Sequence, residues 1–166
     1  MRTFIAGLMF ILLLPLGPLI DWAIYRDHTF FIPPVNYTGE IPIRNDAYGQ
    51  GYFGAPRRGK RRHRGLDILA PMNSEVKASK GGIVHLGFQK NGMGKYIVIE
   101  HTQAYSTLYG HLSDWCVKDL QRIRQGDVIG HIGKTGNARH KKIMPHLHFE
   151  VKKDGTYLDP AVLLKQ

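Results

Sequence analysis

Beyond residue 50 the chain runs in short β-rich, largely apolar stretches separated by glycine turns. Residues 83–88 (IVHLGF) form one stretch, and the turn Asn91-Gly92-Met93-Gly94 follows two residues later. Residues 96–101, 105–111, 128–132 and 147–151 continue the series, and Gly126-Asp127 opens the fourth stretch. No 3.6-residue period is sustained in this region. Short β-rich runs bounded by turns at this spacing predict short antiparallel strands. Residues 117–124 are expected to form a short turn of helix. The fold class is therefore mainly β, a compact antiparallel sheet domain.

The N-terminal pattern is different. Residues 3–20 (TFIAGLMFILLLPLGPLI) carry no charge, with Arg2 ahead of them and Asp21 behind. As a helix this run would span roughly 27 Å, close to the ~30 Å hydrocarbon core of a bilayer. Pro15 and Pro18 disfavour a soluble helix but are tolerated in a membrane one. Positive charge ahead of an apolar run keeps the N-terminus in the cytoplasm and sends the remainder across. Residues 1–25 are thus expected to be a membrane helix that anchors the chain, or a signal segment that is cleaved. No A-x-A site follows the run, which favours the anchor. In both cases the rest of the chain is exported. Residues 26–50, with Pro33, Pro34 and Pro42, read as an extended linker that lies along the domain surface. Residues 51–162 then form one domain.

Length and charge narrow the picture. A chain of 166 residues accommodates one ordinary domain, and 19 Gly with 9 Pro fit a turn-rich β fold. The formal net charge of +10 suits an anionic partner. Export argues against nucleic acid and leaves anionic lipid or an acidic polymer. Cys116, the single cysteine, permits neither an intramolecular disulfide nor a thiolate zinc site. It is expected to be a small buried apolar residue.

Nine histidines prompt a search for metal chemistry. Two clusters stand out: His63-Arg-Gly-Leu-Asp67, and His146-Leu-His148-Phe-Glu150-Val151. Residues two apart on a strand share a face. His146, His148 and Glu150 are therefore expected on one face, with Leu147, Phe149 and Val151 on the core face. By the same rule His63, Gly65 and Asp67 point away from Leu66 and Ile68, and His111 shares a face with Tyr105, Thr107 and Tyr109. A catalytic zinc site takes about three N or O ligands and keeps one position open. Spacing alone leaves the alternative of surface or hydrogen-bonded histidines open.

Three motifs in order, HRGLDI at residues 63–68, STLYGHLS at 106–113 and PHLHFEV at 145–151, resemble the LytM/lysostaphin-type peptidases of the M23 family. The resemblance extends over residues 51–160 and includes APMNSEVKASKGGIV, GKYIVIEH, GDVIGHIGKTG and LDP. It implies a sheet crossed by an active-site groove and one Zn2+ per chain, held by His63, Asp67 and His148. It implies that His111 and His146 are the catalytic pair beside the water to be activated. The implied activity is a zinc metalloendopeptidase acting on peptidoglycan stem peptides or cross-links during cell-wall remodelling. The implied setting is the envelope, with the bacterial membrane as partner through the N-terminal segment. The rival is a noncatalytic peptidoglycan-binding or amidase-activating module, which the presence of all five polar positions disfavours.

Other positions carry weaker expectations. His101 is expected to be structural or to support the ligands. His28, His85, His131 and His140 are expected to be exposed or locally hydrogen-bonded. The family usually runs almost directly from the TG turn into HLHFE, whereas here residues 137–144 make that connection longer and basic. That loop, and the cations from Arg57 to Arg64, are expected to rim the groove and attract carboxylates.

Overall fold

The computed structural model describes residues 30–164. The apolar run at residues 3–20, and with it the expected anchor or signal, lies outside the described residues, as does His28. Among the described residues no helix is long and apolar enough to cross a membrane.

The chain forms β1 (Asn45–Asp46), β2 (Gly49–Gln50), β3 (Leu66–Leu69), β4 (Glu75–Lys77), β5 (Gly82–Gln89) and β6 (Gly94–Glu100). It continues with β7 (Tyr105–Leu112), β8 (Arg122–Ile123) and β9 (Val128–His131). A 3-10 turn at Gly136–Arg139 precedes β10 (His146–Lys153), β11 (Thr156–Leu158) and the single-turn helix α1 (Pro160–Leu163). Each of these short β-rich stretches contains or forms a strand: β5, β6, β7, β9 and β10. The main sheet is antiparallel, in the order β11-β10-β7-β6-β5-β8, with β3 also paired to β10. β4 and β9 form a separate pair.

Alternation decides which face is core. Leu147, Phe149 and Val151 of β10, Ile97 and Ile99 of β6, and Leu66 and Ile68 of β3 are fully or almost fully buried. They pack with Val76 of β4 and Ile129 of β9 into one cluster. Each such side chain contributes about 1.5–3 kcal/mol relative to exposure. The intervening residues line a groove on the opposite face: Tyr96 and Val98 of β6, Leu108 of β7, and His146, His148, Glu150 and Lys152 of β10.

The segment 30–50, expected to be a surface linker, is inserted into the domain. Phe31 and Val35 belong to the core cluster, Ile32 N donates to Ser79 O, and Ile43 bridges to Ile68.

Three expectations are corrected. Residues 117–124 form no helix. Leu120 N donates to Val84 O, Leu86 N donates to Asp119 Oδ1, and Leu120 has a φ of 61°. The segment thus exchanges its helical bonds for bonds to β5. Cys116 is exposed, because its backbone is tied to Ile129 O while its sulfur faces His131 at the surface. His111 does not share a face with Thr107 and Tyr109. Those two are buried on the core side, where Tyr109 Oη accepts from Ser79 N and bonds Thr107. Tyr109 pairs with Ile97 and Leu112 with Lys95, so two residues of β7, Gly110 and His111, oppose Tyr96 alone. This bulge, with His111 at a φ of 65°, flips the alternation and turns the imidazole into the groove.

Candidate metal centre

β3 and β10 are neighbours, with Asp67 directly opposite His148. Their approach requires Gly65, because a Cβ there would collide with the Phe149 carbonyl. His63 precedes β3 and is fixed by its backbone, whose N donates to Ala55 O. Three donor atoms converge as a result. His63 Nε2 lies 3.0 Å from His148 Nδ1 and 3.1 Å from Asp67 Oδ1, and His148 Nδ1 lies 2.8 Å from the same Oδ1.

The outer nitrogens determine what this triangle can hold. His63 Nδ1 donates to Tyr52 O at 2.8 Å, and His148 Nε2 donates to Glu150 Oε1 at 3.1 Å. Each ring then presents a lone pair inward, beside a carboxylate oxygen. Three converging acceptors with little room between them require a cation. Their separations are near the ~3.3 Å edge of a tetrahedron with metal–ligand bonds of about 2.0–2.1 Å. The donor set, two imidazoles and one carboxylate, fits Zn2+. The electrostatics express the same demand through protons. Burial disfavours charge on His148, yet Asp67 and Glu150 outweigh it and push its pKa up to about 9. Burial would raise Asp67, but its bonds to His148 and His63 hold it well below the usual carboxylate range.

His111 and His146 stand beside this triangle, with ring centroids 5.1 Å apart. His111 Nδ1 donates to Thr135 O at 3.0 Å and His146 Nδ1 donates to Met144 O at 2.7 Å, which leaves both Nε2 atoms as acceptors. Burial, aided by the charges of His148 and His146, pushes His111 down to about 3. Burial also lowers His146. Both rings are held neutral.

All five polar positions singled out in the sequence come together. Two supporting residues were not foreseen. Glu150 had been placed on the right face without a role, and it orients His148. Arg44, from the segment read as linker, donates to Asp67 Oδ2 from Nη2 at 2.9 Å and from Nε at 3.3 Å. Its only signal in the sequence is a lone arginine after Pro42. His101 is structural: it bonds Gly81 O and Thr107 Oγ1. His140 stacks on Tyr48, and His131 pairs with Asp114. Asp114, Cys116 and His131 form a second, largely exposed group of donors.

Arg57, Arg58, Arg61, Arg62, Arg64 and Lys152 line the groove, as do Met93, Tyr96, Ala138 and Ile143. Arg139 differs from its expected role as an attractor. Its guanidinium bonds Lys90 O, Asn91 Oδ1 and Gly136 O, clamping the longer loop to the β5–β6 turn.

Comparisons with known proteins give the family and the fold. The model of Peptidase family M23 matches residues 61–160. The chain is 36% identical over 101 residues to the DD-carboxypeptidase/endopeptidase Mpg of Neisseria meningitidis, covering 61% of this chain and 22% of that protein. It is 35% identical over 101 residues to the peptidoglycan DD-endopeptidase ShyC of Vibrio cholerae, with the same coverage of 61% and 22%. The chain thus spans about a fifth of the length of these curated relatives. A solved zinc-containing peptidase from Vibrio cholerae superposes with a TM-score of 0.63 at 31% identity, covering 80% of this chain and 39% of that one.

Proposed function

The chain belongs to peptidase family M23, and from that premise we propose that it is a zinc-dependent endopeptidase that hydrolyses peptide bonds in peptidoglycan stem peptides or cross-links during cell-wall remodelling. The observation that carries the reading is the convergence of three inward-facing donors beside two neutral histidines in one groove. His63, Asp67 and His148 would hold one Zn2+. Bound there, zinc supplies Lewis acidity, polarising a carbonyl and making water easier to deprotonate.

The chain's own residues do the rest. His146 and His111 present unprotonated Nε2 atoms to the groove, where they take a proton from the attacking water and return it to the leaving amine. Their Nδ1–H bonds to Met144 O and Thr135 O fix each ring's orientation and tautomer. Glu150 and Tyr52 O do the same for His148 and His63. The test is digestion of purified peptidoglycan, with the products identified by mass. New N-termini in stem peptides or cross-links are expected. Binding without cleavage would mark the chain as a noncatalytic module.

The cationic part of the rim suits stem peptides, which carry free carboxylates. Arg58 and Arg61 are the best probes, because both line the groove and both are exposed or partly exposed. Replacing both with Ser is expected to raise KM by roughly two- to thirtyfold at low salt, since exposed pairs contribute about 0.2–1 kcal/mol each. The turnover rate stays near wild type, and the difference shrinks at high ionic strength. An unchanged KM at low salt would reduce these arginines to a solvated loop.

The setting follows from the same reading. Residues 1–25 anchor the chain in the cytoplasmic membrane, or direct its export and are removed, and the domain works in the envelope. Cell fractionation with N-terminal sequencing is expected to place the domain outside the cytoplasm. Recovery of the full-length chain as a soluble cytoplasmic protein would contradict both routes.

A further inference from the structure

Asp67 has two carboxylate oxygens, and they meet different surroundings. Oδ1 faces His63 and His148. Oδ2 faces Arg44, which donates to it from Nη2 at 2.9 Å and Nε at 3.3 Å, and Arg57 Nη2 lies 3.5 Å from the same oxygen. We infer that Arg44 is a positioning residue that occupies Oδ2, so that Asp67 offers a single oxygen to the metal. The inference rests on the zinc reading proposed above.

The arrangement is built. Arg44 is only 6% exposed, and a buried guanidinium is retained only where its donors are used. Its third nitrogen, Nη1, donates to Asp46 Oδ1 at 2.8 Å. Backbone bonds lock the register: Arg44 N donates to Asp67 O, and Gly51 N donates to Arg44 O. Asp46 in turn accepts from Tyr48 N at 2.8 Å and from Met144 N at 3.5 Å. The end of the longer loop and the β1–β2 hairpin therefore meet on the carboxylate that holds Arg44.

The chemical consequence is coordination number. A carboxylate free to rotate can bind zinc through both oxygens and fill a position that the reaction needs open. A fork bonded to Oδ2 prevents this, and partners of this kind change metal affinity or activity by about 10–100-fold when removed. Arg44 lines the groove with little of its surface, being 6% exposed, so its loss is expected to move kcat more than KM.

The test uses the full chain with Arg44→Met, Arg44→Lys and Asp46→Asn. Zinc affinity is measured by competition with a chelator, kcat and KM on peptidoglycan fragments, and folding by circular dichroism. Arg44→Met is expected to lose roughly 10–100-fold in zinc affinity and kcat, with KM within about twofold. Arg44→Lys should regain part of both losses, because it restores charge without the fork. Asp46→Asn, which keeps Arg44 but loosens it, should show a smaller loss in the same direction and covers the case in which Arg44→Met does not fold. Folded variants with wild-type zinc affinity and kcat, beside a wild type that binds zinc, would overturn the inference alone. A wild type that binds no zinc would overturn the zinc reading and the inference together.

Discussion

His148→Ala is expected to strip the chain of its metal. The wild type should carry about one equivalent of zinc, and the variant little of it, with an affinity loss beyond ~100-fold, larger than the loss of a supporting partner causes. His148 Nδ1 is a corner of the donor triangle, within 3.0 Å of His63 Nε2 and 2.8 Å of Asp67 Oδ1. Without it two donors remain, too few for a catalytic zinc site. The substitution also leaves Glu150 buried without its partner. Circular dichroism is therefore needed to show that metal was lost from a folded chain. Metal analysis after gel filtration reads the outcome, and full zinc occupancy in folded His148→Ala would remove His148 from the ligand set.

His111→Ala and His146→Ala are expected to behave in the opposite way, keeping metal and fold and losing hydrolysis by about 10²–10⁴. Neither ring supplies a corner of the triangle. Both supply an unprotonated nitrogen to the same groove, and both are held there by a carbonyl behind them. His111 already occupies a left-handed conformation, with a φ of 65°, so alanine inherits that strain and adds little to it. Zinc content, circular dichroism and peptidoglycan digestion, measured on the same preparations, separate the three effects. If both variants digest at the wild-type rate, the proton-transfer roles are wrong even with the metal in place.

The parts of the site that were legible in the sequence are those carried by local periodicity. Along β10 the order His146, Leu147, His148, Phe149, Glu150, Val151 alternates without interruption, and the structure keeps that alternation: imidazoles and carboxylate in the groove, Leu147, Phe149 and Val151 in the core. On β3, Asp67 likewise lines the groove between the buried Leu66 and Ile68, whereas His63 reaches the groove from the segment before the strand. Where alternation was interrupted, extrapolation failed. His111 was placed with Thr107 and Tyr109, and a one-residue bulge moved it to the other side. Residues 117–124 are expected to be helical, and nothing local reveals that Leu120 N donates to β5 while Gln121 O and Asp119 Oδ1 accept from it.

Arg44 shows the other limit. It is 23 residues from Asp67 in the chain and belongs to a segment whose prolines and mixed polarity carry no period. Only the closure of that segment against β3, with Arg44 N on Asp67 O and Ile43 across from Ile68, brings the guanidinium to the carboxylate. Arg139 is similar. The sequence shows a cation in a basic loop, and the tertiary structure turns it inward onto Lys90 O and Asn91.

The sequence by itself determined the fold class, the strands and the residue types of the site. Burial of alternate side chains is set by a two-residue period, and three motifs in register identify a family. The tertiary structure decided what that period does not encode. It decided which nitrogen of each imidazole faces inward, because the tautomer depends on a carbonyl or carboxylate from elsewhere in the fold, Tyr52 O for His63 and Thr135 O for His111. It decided which carboxylate oxygen of Asp67 faces the two imidazoles, because Arg44 reaches the other one only when the chain has folded back on itself. Contacts between residues far apart in the chain depend on packing of the whole domain, and no local pattern records them.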